Sequence, residues 1–284
     1  MRFILIVFNL VLFILPMGAQ SGWTKEKGKY FTKLDFSNFV STAYFNPSGN
    51  QLLTSEFRQR SVHFYGEYGI TDRFTIIGSM PLLRLNSFET TKTVAGIGDL
   101  RLEFKYKPFK NLKLPMAVSI APELPTGRKN AFAENKFIPG EKINLPAGDG
   151  EFNIWGTLAV SLPFSKKGYT SFYGSYNLRT AFEGLDFQDL YQVGFEIGYN
   201  PFKSFWLNAK LRSQYTIADS EHPELAFVRG DATTYTLLSA EAFYKINDRF
   251  GISATFLTGN EWLASFQNIY IAPYFSVGVI YEKK

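Results

Sequence analysis

Four short stretches of this chain carry side chains that could do chemistry. Ser61 and His63 stand two residues apart, so in an extended segment they share one face, as a hydroxyl nucleophile and its base would need. Asp149 and Glu151 place two carboxylates between Gly148 and Gly150 in a loop, and carboxylate oxygens are the ligands Ca²⁺ takes. Gly96-Ile97-Gly98-Asp99 has the opening of a phosphate loop. Lys210 and Arg212 set two cations on one face with no acid between them.

What these residues do depends on the elements that hold them. Residues 61–83 alternate on both sides of Thr71-Asp72-Arg73. Val62, Phe64, Tyr68 and Ile70 share one face, while Ser61, His63, Tyr65 and Glu67 share the other. Asp hydrogen-bonds its own backbone and favours turns, so the stretch reads as a hairpin. Nearly the same turn returns at Asn247-Asp248-Arg249. The pattern repeats along the chain. It is clearest where Leu100, Leu102, Phe104 and Tyr106 oppose Arg101, Glu103 and Lys105. Twelve such strands are expected, with short turns at one end and long connections at the other. The connections read as long include 38–55, 85–95 and 125–150.

Composition fits membrane-spanning strands. The chain has 284 residues, 17% of them aromatic, with 29 Phe and 16 Tyr. Its mean hydropathy is nevertheless only −0.09, because half of each alternating strand is polar. Beyond residue 20 no apolar run reaches the roughly 20 residues of a spanning helix. The sequence therefore predicts an all-β fold, a 12-stranded antiparallel transmembrane β-barrel with short periplasmic turns and long extracellular loops. The competing soluble β-sandwich would turn its polar face outward.

Residues 1–19 read as a signal peptide: Arg2, an apolar run from Phe3 to Leu15, then Gly18-Ala19. The barrel is expected over 20–284. There are no cysteines, so disulfides and thiolate chemistry are excluded. The net charge of +5 is spread without a basic run, and no nucleic-acid partner is expected.

Set on such a barrel, the four stretches read more plainly. The Gly96 stretch lacks a third glycine and leads into a strand, so it is a strand entry. The Asp149 loop lacks the alternating-Asp spacing of a Ca²⁺ loop. No cofactor or metal is expected. Ser61 and His63 fall on the lumenal face, away from lipid substrates. The twelve-stranded outer-membrane phospholipases, with their Ser–His pair, are thus the enzymatic alternative. The flanking residues here lack their pattern.

Tyr68-Gly69-Ile70-Thr71-Asp72-Arg73-Phe74, then Pro81, then Gly96-Ile97-Gly98-Asp99-Leu100, resembles the family named for the MetA pathway of phenol degradation. Pro125-Thr126-Gly127 and Gly148-Asp149-Gly150-Glu151 are similar to it as well. The resemblance covers residues from about 56 to the end and implies an outer-membrane transporter without catalytic residues.

The lumen-lining candidates are Lys33, Asp35, His63, Glu67, Arg101, Glu103, Lys105, Glu151, Arg179, Glu196, Lys210, Arg212 and Glu241, with Lys245 among the cations. Acids and bases nearly balance, so net charge alone predicts no strong ion selectivity. Lys210 and Arg212 form either an anion-attracting patch or a brace paired with Glu196 and Glu241. The expected function is a channel or transporter for small solutes, amphipathic or aromatic if the family name is a guide. A plugged barrel acting in binding or structure is the alternative. The expected partners are outer-membrane lipid and a small-molecule solute. The oligomeric state is not legible in the sequence.

Overall fold

The structure, a computed structural model, describes residues 20–109, 114–221 and 230–283. The expected signal peptide and His222 lie outside the described residues.

In chain order the strands are β1 (Tyr30–Phe45), β2 (Gln51–Thr71), β3 (Phe74–Phe88), β4 (Val94–Gly96), β5 (Leu100–Tyr106) and β6 (Met116–Leu124). The loop hairpin β7 (Phe132–Glu134) and β8 (Lys142–Asn144) follows, then β9 (Asn153–Ser165), β10 (Gly168–Arg179), β11 (Leu190–Phe202) and β12 (Phe205–Thr216). The last are β13 (Tyr235–Lys245), β14 (Phe250–Asn260), β15 (Ile269–Tyr270) and β16 (Tyr274–Lys283). Leaving aside β4, β7, β8 and β15, twelve strands form the wall, each antiparallel to the next. β16 pairs with β1 from Tyr30↔Lys283 to Phe39↔Tyr274, which closes the cylinder. Closure gives the edge strands partners, as a backbone in lipid requires.

Alternation is inside-out relative to a soluble protein. The exposed wall residues are apolar, such as Leu158 (50%), Phe172 (50%) and Val277 (59%), while Thr75, Ser161 and Ser171 are buried. An apolar belt around a closed barrel makes this an integral β-barrel of the outer membrane.

The first hairpin is longer than the alternation suggested. Residues 38–55 are not a long connection: β1 and β2 continue through them to a tight turn at residues 46–50. Asn46 Oδ1 accepts the Asn50 amide (2.8 Å), and Gly49 takes a positive φ of 79°. Two causes hid these strands. The outward residues Asn38, Thr42, Arg58 and Arg60 are polar, because this part of the hairpin stands beyond the apolar belt. A register shift between Ser41 and Ala43 also breaks the two-residue period. β3 likewise runs on to Phe88 instead of ending before Leu85.

The long-loop half of the lumen is filled. Phe39, Phe57, Phe88, Tyr235 and Tyr274 point inward and pack with Leu145 and Tyr270 from two loops. Phe57 lies 5.4 Å from Phe88 and 5.5 Å from Tyr270, ring centre to ring centre. The loop before Tyr270 first crosses the outer rim, where the Ala264 amide bonds Thr236 Oγ1 (3.0 Å) on the outward face of β13.

Candidate functional site: the strap and the charged lumen

The segment before β1 crosses the short-turn mouth of the barrel. Gly22 N donates to Ser161 Oγ of β9 (2.8 Å), and the Trp23 ring stands edge-on to Tyr169 of β10 (5.0 Å). Lys25 N then donates to Thr75 Oγ1 of β3 (2.8 Å), and Gly28 N to Gly69 O of β2 (2.8 Å). The strap therefore joins opposite walls. Two glycines permit its close approach: a Cβ on Gly22 would stand 2.1 Å from Pro115 O, and one on Gly69 2.1 Å from Glu26 O.

Above the strap is a cavity of about 510 Å³. Its walls carry Lys33, Asp35, His63, Glu67, Lys105, Lys210 and Glu241, and the strap contributes Ser21, Trp23 and Lys25. The charges form a chain across strands. Glu196 meets Lys210 (3.2 Å), Lys210 meets Glu241 (3.8 Å), Glu241 meets Lys33 (2.6 Å), and Lys33 meets Asp35 (3.2 Å). Lys33 on β1 reaches Glu241 on β13 past β16 and β14. Gly278 makes room, since a Cβ there would stand 2.5 Å from Asp35 Oδ1 and 3.0 Å from Lys33 Cε. Tyr169 hydroxyl also donates to Glu196, and Tyr65 hydroxyl to Glu67 (2.6 Å).

A second charged group lies nearer the long loops. Arg179 Nη2 meets Glu151 Oε1 (2.5 Å), and Arg179 Nη1 meets Asp231 (3.4 Å). Arg101 stacks over Trp155 (5.2 Å), whose indole donates to Glu123 (3.3 Å). The glycine motifs converge here. Asp99 Oδ1 accepts from Gly127 N (2.7 Å) and Oδ2 from Asp149 N (2.9 Å). Arg84 Nη1 donates to Ala147 O (2.7 Å), and Asn86 Nδ2 to Pro146 O (2.9 Å), so the loop after Pro125 is drawn into the lumen.

The sequence candidates thus fall into two groups. Lys33, Asp35, His63, Glu67, Lys105, Glu196, Lys210 and Glu241 surround or adjoin the large cavity. Arg101, Glu151 and Arg179 belong to the upper group. Glu103 is half-buried on the face of β5 that carries Arg101 and Lys105. Lys210 sits between Glu196 and Glu241, whereas Arg212 lies over the Tyr235 ring (5.5 Å), so the two cations do not form one patch. Lys245 pairs with Glu282 (2.9 Å). Ser61 hydroxyl bonds Ser37 (2.6 Å), and His63 Nε2 faces Ser79 Oγ (3.3 Å), so Ser61 and His63 do not form a pair. Among the described residues no group of three or more His, Asp or Glu is arranged to hold a metal ion.

Sequence reasoning missed the strap, the inward aromatics, and Arg84, Glu123 and Asp231. The inward aromatics carried a signal: Phe39 and Phe57 alternate in step with Ser37 and Gln59, which face the lumen.

No protein-family model matches the chain, and no curated protein matches it. Among solved structures it is similar to the COG4313 outer membrane channel from Pseudomonas putida F1, at 11% identity and a TM-score of 0.67, over 94% of this chain and 99% of that one. It is also similar to the NanC porin (10% identity, TM-score 0.53, 87% of this chain and 98% of that one). The translocator domain of autotransporter NalP from Neisseria meningitidis matches comparably (9% identity, TM-score 0.53, 90% and 89%). At these identities the likeness is one of fold, and the fold is that of outer-membrane barrels.

Proposed function

We propose that this chain is a narrow passive channel for small solutes, oriented with its strap and short turns in the periplasm and its long loops outside the cell. The observation that carries this reading is the cavity of about 510 Å³ beneath the loops. A purely structural barrel with as many wall strands has no need to keep such a space, or to line it with charges that neutralise one another. The neighbouring aromatic cluster supports amphipathic or aromatic solutes, as the sequence resemblance implies and as the channel-like relatives in fold permit.

The strap and the inward loops favour one second reading, a plugged barrel that binds without conducting. Planar-bilayer recording separates the two. Protein refolded from Gly28 onward, without the strap, should conduct at least severalfold more than protein beginning at Gln20. Equal silence of both forms sinks the channel reading. The orientation is tested on intact cells: protease should reach a tag at Phe137 and not one at Asp72. The reverse pattern inverts the barrel.

A further inference from the structure

The outer wall of the barrel carries an apolar groove of about 700 Å³, which crosses β12, β13, β14, β16, β1 and β2. Phe205, Tyr244, Ile252, Val277, Phe36 and Val62 line it, one from each of those strands. Ala242 faces Ala254 between β13 and β14, and these short side chains leave the depression between larger neighbours. The groove climbs the wall as it crosses. Phe205 opens β12 at the short-turn end, whereas Val62 stands nine residues before the end of β2.

The upper end of the groove meets a cation. Phe36 pairs with Val62, and the next outward pair above them is Asn38 with Arg60. From Tyr68, on the same face of β2, Arg60 is eight residues on. That is roughly 27 Å of strand, or about 21 Å of height at a tilt of ~40°, against an apolar band about 25 Å tall. Arg60 therefore stands where the hydrocarbon ends and lipid headgroups begin. Arg58, above it, is committed to Glu56. Arg60 and Asn38 are exposed, and among the described residues neither side chain has a hydrogen-bond or ion-pair partner. A guanidinium matches phosphate oxygens with two parallel N–H donors, and the Asn38 amide adds a third beside them. We propose that the groove and the Arg60–Asn38 pair form a docking site for a membrane lipid with an anionic phosphate head. One acyl chain lies along the groove, and the phosphate meets the guanidinium.

The assignment depends neither on conduction nor on which mouth faces outward. The test is native mass spectrometry of the full barrel in detergent, with dimyristoylphosphatidylglycerol and, as the headless control, dimyristoylglycerol. The phosphatidylglycerol should be retained at least tenfold better, and excess inorganic phosphate should not displace it. Arg60→Gln should lower retention at least fivefold, and Ala254→Trp, which fills the groove from the lipid side, should do the same. Lys203→Gln, in a short turn at the opposite end, should change nothing. Equal retention of the two lipids, or displacement by inorganic phosphate, overturns the assignment. So does a loss with Lys203→Gln while Arg60→Gln binds normally, since the head would then sit at the other mouth.

Discussion

The Asp99 carboxylate accepts a hydrogen bond from the backbone amide of Asp149 at 2.9 Å, across 50 residues of sequence. Its other oxygen takes the Gly127 amide at 2.7 Å, so one side chain at the rim of β5 grips both ends of the longest loop. Gly127 and Gly148 let the backbone close over it, since a Cβ on either would lie within 2.8 Å of that carboxylate. Hydrogen bonds to a charged group contribute about 1.5–3 kcal/mol each. Asp99→Ala should therefore release residues 125–150 while the barrel stays folded. Limited proteolysis should cut that loop at least tenfold faster than in wild type; an unchanged rate would show that Arg84 and Asn86 hold it unaided.

Thr255 and Phe256 are sequence neighbours on opposite faces of β14. Thr255 lines the large cavity, and Phe256 is 39% exposed, with its ring 5.1 Å from Phe275. Phe256→Arg puts a charge against lipid, at a cost of about 2–4 kcal/mol near the midplane. Thr255→Arg puts it near Glu241, in the cavity. Folding into lipid vesicles, followed by heat-modifiable migration on gels, should fail or slow only for Phe256→Arg. Equal defects would mean the faces are wrongly assigned.

Gly278 leaves the space through which Lys33 reaches Glu241. Gly278→Ala drives a methyl group to 2.5 Å from Asp35 and should cost about 1–3 kcal/mol, the usual range for overpacking. Gly156→Ala is the control, because its Cβ would meet nothing within 4 Å. Urea titration in detergent should show a lowered midpoint for the first variant and none for the second.

Lys210 lines the large cavity between two carboxylates, and Arg212 is stacked on Tyr235 away from it. Charge at a constriction sets selectivity, so only the first should matter. Under a salt gradient, Lys210→Gln should move the reversal potential toward cation preference, and Arg212→Gln should not. Equal shifts would restore the idea of a joint anion patch.

The sequence alone determined the barrel. Membrane strands must alternate with period two, and each must offer lipid an apolar face, so Leu100 to Tyr106 or Phe250 to Phe256 can be read residue by residue. Lumenal charges such as Lys33, Glu196 and Glu241 could be named because they fall on the other face of those same strands. The rule stops where lipid stops. Asn38, Arg58 and Arg60 face water beyond the belt, so their strands looked like loop.

What fills the lumen was decided only by tertiary structure. No local pattern marks the strap, because Gly22 and Lys25 are held by Ser161 and Thr75, residues distant in sequence. The pairing of Lys33 with Glu241 depends on four strands curving into one wall and on Gly278 lying between them. Strand periodicity reports which face a side chain takes. Which partner it meets across a closed barrel depends on shear and loop placement, which are properties of the whole cylinder.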